Sequence, residues 1–182
     1  MARIAIAQPR QVEAVYRESY ALWGGGLSYD GYLDLWRDLR ATPWGRRNLM
    51  FQVLVDDRGE VRSSLKCYRV TFRIDGDAVP GVVIGALFTP ARHRRRGHAR
   101  VLLEGVLARA AADGGRVALL YSDVGRTFYE RSGFRPVDAS DAFGRVPRGQ
   151  RGPDGWRLVA MTREHRHAVA AAREATAARA RF

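Results

Sequence analysis

The stretch richest in possible chemistry is an apolar run that stops at Phe88-Thr89-Pro90 and climbs through Ala91-Arg92-His93-Arg94-Arg95-Arg96 into Gly97-His98-Ala99. Where such a turn opens a helix, two sources of positive charge meet. The first helical amides have no intrahelical partner, and the helix dipole adds partial positive charge at the same end. Arg92, Arg94, Arg95, Arg96 and Arg100 surround those amides. The small residues of Arg94-x-x-Gly97-x-Ala99 let the backbone come close to a ligand. The junction therefore reads as an anion cradle of a size that suits pyrophosphate. It is neither a Gly-Lys-Ser/Thr P-loop nor a G-x-G-x-x-G turn. His93 and His98 have no Cys or carboxylate cluster beside them, and His165 and His167 are two apart on different helix faces, so no metal is expected.

The elements that must hold this junction follow from periodicity. Residues 1–8 alternate loosely as a short strand. Val12, Val15, Tyr16 and Leu22 give a helix over 11–22 that stops at Gly24-Gly25-Gly26. Ser28 is an N-cap for a second helix with the apolar face Tyr29, Tyr32, Leu33, Trp36; Leu27 is placed to staple against Tyr32, and Pro43 lies beyond the helix end. Three strand-like runs follow, 49–55, 61–73 and 81–88. The first two are separated by Asp56-Asp57-Arg58-Gly59, and Asp75-Gly76 closes the second. The third is almost wholly apolar and reads as a central strand.

Behind the cradle, Ala99, Leu102, Leu103, Val106, Leu107 and Ala110 repeat at helical spacing over 97–112, ended by Asp113-Gly114-Gly115. A buried strand over 117–121, a short helix over 126–131 stopped at Gly133, a strand beginning over 134–137, a Gly/Pro/Arg loop over 144–155 and a last strand over 156–161 complete the order. The result is an α/β protein with a mixed, mostly antiparallel sheet. Residues 1–162 form one domain; 163–182 form an Ala/Arg-rich helical tail with almost no apolar stripe, either a solvated helix or one that docks a partner or a twin subunit in a homodimer.

Composition narrows the class. The chain has 182 residues, enough for one domain with a real core. Thirty-one lysines and arginines against nineteen acids give +12, and Lys66 is the only lysine. Codon bias explains this arginine excess as well as a polyanionic ligand, phosphate or nucleic acid, does. The lone Cys67 excludes a disulfide framework and a multi-Cys metal site. The best apolar run, 79–88, falls well short of the ~18 residues of a membrane span. With no secretory h-region at the N-terminus, a soluble cytoplasmic protein is expected.

From the strand at 81–88 to Phe134 the chain resembles the GNAT superfamily of acyl-CoA-dependent N-acetyltransferases. The likeness rests on the strand, the Arg94-x-x-Gly97-x-Ala99 turn with its helix, the next strand, and Phe128-Tyr129-Glu130-Arg131-Ser132-Gly133-Phe134. The element order from Ile4 to Met161 is also similar to that fold. Thr89-Pro90-x-x-His93-Arg94-x-Arg96-Gly97-x-Ala99, Leu120-Tyr121-Ser122-Asp123-x-Gly125, Phe128-Tyr129, Trp23-x-Gly25-x-Leu27-Ser28 and Tyr32-Leu33 further resemble the N-terminal domain of fungal lysine N6-acetyltransferases.

The resemblance implies acetyl-CoA as co-substrate, with pantetheine in a splay between the strands 81–88 and 117–121. Backbone at Leu87, Phe88 and Thr89 would pair with it, and phosphates would sit on the amides of Arg95, Arg96, Gly97, His98, Ala99 and Arg100, with Arg94 and Ser122 adjoining. The acceptor would be a primary amine, which at a pKa of ~10.4 is neutral in only about one molecule in 2,500 at pH 7, so a base is needed. Tyr129 occupies the superfamily's position for the acid that protonates the departing thiolate. Many relatives carry a carboxylate on the central strand, but 81–88 has none; Asp123, beside Tyr121 and Ser122, is the substitute, with a plain N-cap role as the alternative. Trp23 and Leu27 fall where relatives line the acceptor pocket, and Tyr121 adjoins it. Periodicity leaves open whether Cys67 and Tyr68 face that pocket or the core.

A small-molecule amine is expected as acceptor, with free lysine favoured. A non-catalytic acyl-CoA-binding module is the first alternative. An acetyltransferase for aminoacyl-tRNA or a protein amine is the second.

Overall fold

Strand registers, more than helix positions, decide where a cleft can open in this chain. The computed structural model describes residues 2–122 and 125–137, together with Ala171. Its strands are β1 (Arg3–Ile6), β2 (Leu49–Val55), β3 (Val61–Ile74), β4 (Asp77–Phe88) and β5 (Val117–Leu120). They form one sheet in chain order. The first four are antiparallel, joined at two places by the hairpin turns expected at Asp56-Gly59 and Asp75-Gly76; β4 and β5 are parallel and need a crossover, which the helix α4 (His98–Ala112) supplies.

Helices cover both faces. On one side lie α1 (Pro9–Trp23), α2 (Tyr29–Ala41) and α3 (Pro43–Asn48); α4 covers the other. Alternation along β2 sends Phe51, Val53 and Val55 to the α1/α2 side and Leu54 to the α4 side. On α4, Leu102, Leu103 and Val106 are buried, as their spacing predicts. Cys67 belongs to the α4-side core, where burial pushes its thiol up to about 11.

Local signals account for most helix ends. Ser28 Oγ accepts the Gly31 amide at 3.1 Å and starts α2. Tyr32 is buried against Tyr16, Tyr20 and Trp36, whereas Leu27 stays 42% exposed. One helix boundary needs correction, and one expected helix stop has a second role. Helix α1 begins at Pro9, not residue 11, because proline suits the first helical position. Pro43 does lie past the end of α2, but for the same reason it opens α3, capped by Thr42 Oγ1 on the Gly45 amide at 2.9 Å.

The short helix expected over 126–131 is α5 (Thr127–Glu130). Residues 134–137 form no strand among the described residues. The loop at 144–155, the strand at 156–161 and, apart from Ala171, the tail at 163–182 lie outside the described residues, as does Asp123.

Candidate active site

The pairing of β4 with β5 runs from Gly81↔Val117 to Ile84↔Leu120 and then stops, although β4 continues to Phe88. The β3–β4 register explains the divergence. Ser64 faces Phe88 while Lys66 faces Gly85, so two steps along β3 oppose three along β4. The extra β4 residue is taken up at Ala86, whose φ of 49° lies in the left-handed region. Such a bulge bends the strand and breaks its pairing. A cleft of about 240 Å³ opens at this point, lined by Leu22 and Trp23 of α1, residues 84–87 of β4, Leu120, Tyr121, Ser122 and Tyr129.

Beyond the cleft, the chain leaves Phe88, turns once at Ala91–His93 and enters α4. Arg95 and Gly97 hold positive φ of 60° and 77°. A Cβ on Gly97 would meet nothing within 4 Å, so this glycine serves the backbone conformation and leaves open space before the helix. Among the described residues no backbone acceptor or capping side chain takes the amides of 95–100; the first bonded amide is Val101, donating to Gly97. The unbonded groups of this junction are therefore backbone amides.

Its arginines do not all serve it. Arg92 pairs with Glu18 at 2.9 Å and Glu60 at 3.1 Å, Arg94 donates to the Thr89 carbonyl at 3.1 Å, and Arg100 pairs with Glu104 at 2.7 Å. Arg95 and Arg96 remain exposed and have no partner among the described residues. Burial, and then the neighbouring His93, lower the pKa of His98.

Tyr129 is half-buried on α5, its ring edge-on to Phe128 and Phe134, and it lines the cleft as expected. Trp23 does so too, packed edge-on to Phe88 at 6.0 Å. Leu87 and Ser122 are on the lining, and Tyr121 stands at the mouth, 75% exposed. Leu27 is not on that lining; its carbonyl accepts the Tyr20 hydroxyl. Tyr68 lies on the α1/α2 side, its ring 3.3 Å from where a Gly85 Cβ would stand, and burial raises its phenol to about 12. It approaches the cleft only from behind Gly85.

Sequence reasoning missed Leu22, Gly85 and Ala86, because nothing in an apolar run marks a bulge. It also passed over Lys66, whose position inside the run Leu65-Lys66-Cys67 was the available signal. A larger groove, about 550 Å³, lies between α4 and the sheet; the charged groups on it, Arg69, Arg109 and Asp113, are paired with one another. Among the described residues no three His, Cys, Asp or Glu converge as a metal site, and no helix is long and apolar enough to cross a membrane.

A splayed parallel strand pair, unbonded amides at the following helix and a tyrosine lining the splay are the arrangement that the GNAT resemblance implies. The profile of the acetyltransferase (GNAT) domain matches residues 16–137, and the chain belongs to that family as a GNAT-family N-acetyltransferase. No curated protein matches the sequence. Solved structures share the fold at low identity. A transcriptional regulator from Bacillus halodurans C-125 is 17% identical with a TM-score of 0.65, over 80% of this chain and 100% of that one. An aminoglycoside antibiotic 6'-N-acetyltransferase from Acinetobacter haemolyticus is 15% identical at 0.60, over 80% and 99%. A GNAT family acetyltransferase from Brucella melitensis, in complex with acetyl-CoA, is 21% identical at 0.56, over 75% and 84%.

Proposed function

We propose that the protein transfers an acetyl group from acetyl-CoA to the primary amine of a small molecule, with the donor's phosphates on the amides of 95–100 and its pantetheine against residues 85–88. The observation that carries this reading is the end of β4 that β5 leaves unpaired, lining one cleft with Tyr129, with helix amides immediately beyond it that are unbonded among the described residues. The site suits the group: a backbone cradle that a Gly97 Cβ would not obstruct, and a strand edge that β5 does not pair beyond Ile84.

When bound, acetyl-CoA supplies a thioester whose C–S bond is exchanged for the amide C–N bond of the product. The backbone near Leu87 and Thr89 orients that carbonyl, and an amide donor aimed at its oxygen is worth about 10²–10³ in rate. Tyr129 holds the phenol proton that goes to the departing sulfur. Asp123 takes the proton that the attacking amine loses. Holding both reactants in one cleft supplies roughly 7–11 kcal/mol of the barrier.

Free lysine is the favoured acceptor, on the likeness to fungal lysine N6-acetyltransferases. The aminoglycoside acetyltransferase among the similar structures acts on a small-molecule amine, which supports that class of acceptor. Net +12 repels polyamine and histone-like substrates at low salt. The exposed Arg95 and Arg96 favour an RNA-borne amine as the second reading, which requires RNA binding that falls steeply with salt.

Calorimetric titration with acetyl-CoA and with CoA tests the central reading. Micromolar binding, roughly −8 kcal/mol, is expected and opens an amine panel led by lysine. No binding by folded protein would overturn it.

A further inference from the structure

We infer that Glu60 and His93 act as positioning residues for the anion cradle, a latch that sets affinity for the nucleotide end of the acyl donor without touching it; this rests on the acetyl-CoA reading above. His93 closes the single turn after β4 and is the one histidine buried among the described residues, 5% exposed. A buried imidazole needs partners for both nitrogens. Its Nε2 stands 2.7 Å from Glu60 Oε1, so it donates there. Arg62 Nη1 lies 2.9 Å from each of the two ring nitrogens.

Glu60 is itself held in place. Its amide donates to Asp56 Oδ1 at 2.8 Å, Arg62 bridges its carboxylate to that of Asp56, and Arg92 Nε reaches it at 3.1 Å while also binding Glu18 of α1. The His93 bond, followed by Arg92, holds the Glu60 carboxyl below the usual carboxylate range. The β2–β3 turn and α1 are thus fastened to one face of the strand-to-helix turn.

The geometry gives that fastening a consequence. Between His93 and His98, whose rings meet edge-on at 6.3 Å, lie residues 94–97, two of them at positive φ, and among the described residues no bond constrains their later amides. Their direction is set only from the two ends. At the first end, Arg94 is tied to Ala91 and Thr89, and the part-buried His93–Glu60 bond anchors the turn. Neither Glu60 nor His93 lines the cleft.

The experiment is a double-mutant cycle read by calorimetry with CoA, with melting temperatures alongside. Glu60→Ala should weaken CoA binding about tenfold, and Glu60→Gln, which keeps an acceptor for His93 but no charge, about threefold. In a Gly97→Ala background, where the cradle is already displaced, Glu60→Ala should change Kd less than about twofold. Unchanged CoA affinity in Glu60→Ala overturns the latch, as does an equal factor in both backgrounds. If Glu60→Ala does not fold, Glu60→Gln decides, and wild-type affinity in it overturns the proposal. A wild-type protein that binds no CoA is a separate result, which removes the acetyl-CoA reading and the latch with it.

Discussion

Lys66 lays its Nζ over the face of Trp36, with the Tyr16 ring 5.0 Å away, and among the described residues no carboxylate pairs with it. The only lysine of the chain is 2% exposed on β3, on the side covered by α1 and α2. Burying an unpaired ammonium costs several kcal/mol. The ring contacts return about 2 kcal/mol of that. Burial wins, and the Lys66 pKa falls to about 6.

The sign of the stability effect follows. Above about pH 6 the folded protein carries a neutral Lys66, while the unfolded chain still binds the proton. Stability therefore rises with pH, by up to about 1.4 kcal/mol per unit, until the unfolded lysine also titrates. The window closes early because Cys67 and Tyr68 have raised values in the fold, so their ionisation in the unfolded chain lowers stability at higher pH. Lys66→Met should raise the melting temperature at pH 7 and flatten the dependence from about pH 7 to 8.5. A less stable variant, or an unchanged slope, would contradict this account.

Gly97→Ala places a side chain at φ 77° in open space, so its cost is conformational, about 1–2 kcal/mol. The fold should survive with a melting temperature lower by several degrees, while CoA affinity falls by more than tenfold as the amides turn away. Calorimetry and a thermal melt on one sample separate the two effects. Full CoA affinity would show that the left-handed turn is not needed for the cradle.

Two glycines should respond oppositely to alanine. At Gly81 a Cβ would come within 2.2 Å of the Val117 carbonyl oxygen and 2.7 Å of the Phe72 ring, and neither strand backbone can move without breaking the β4–β5 pairing. A loss above about 2 kcal/mol is expected from Gly81→Ala. At Gly105, inside α4, the obstacle is Ile4 Cδ1 at 2.2 Å, the end of a side chain that can turn aside into solvent. Helix propensity favours alanine there by about 1 kcal/mol, so Gly105→Ala should be neutral or stabilising. Denaturant midpoints of the pair decide, and equal losses would refute the steric argument.

Tyr129→Phe removes the proposed acid and keeps the ring contacts with Phe128 and Phe134. Turnover should fall about 10²-fold with CoA binding unchanged. Undiminished turnover would exclude the phenol as proton donor. Parallel loss of binding would make Tyr129 a wall of the cleft instead.

What could be read from the sequence lies within a few residues of its own cause. The cap at Ser28, the turn at Asp75-Gly76, the apolar stripe of α4 and the Arg94-x-x-Gly97-x-Ala99 junction each need only a short window, because helix caps, turns and helix faces are local physics. Pro43 shows the limit of that window: the same residue ends one helix and opens the next, and its sequence context does not distinguish the two. Only the fold could decide what lies at a distance along the chain. Alternation assigns Lys66 to a face but cannot say that Trp36 and Tyr16 cover it; an apolar strand hides the bulge at Ala86 that opens the cleft. Glu60 and His93 meet across 33 residues. Strand register and burial are settled by the whole sheet packing at once; for that reason the cradle was legible locally, the cleft only through the family resemblance, and the Glu60–His93 contact not at all.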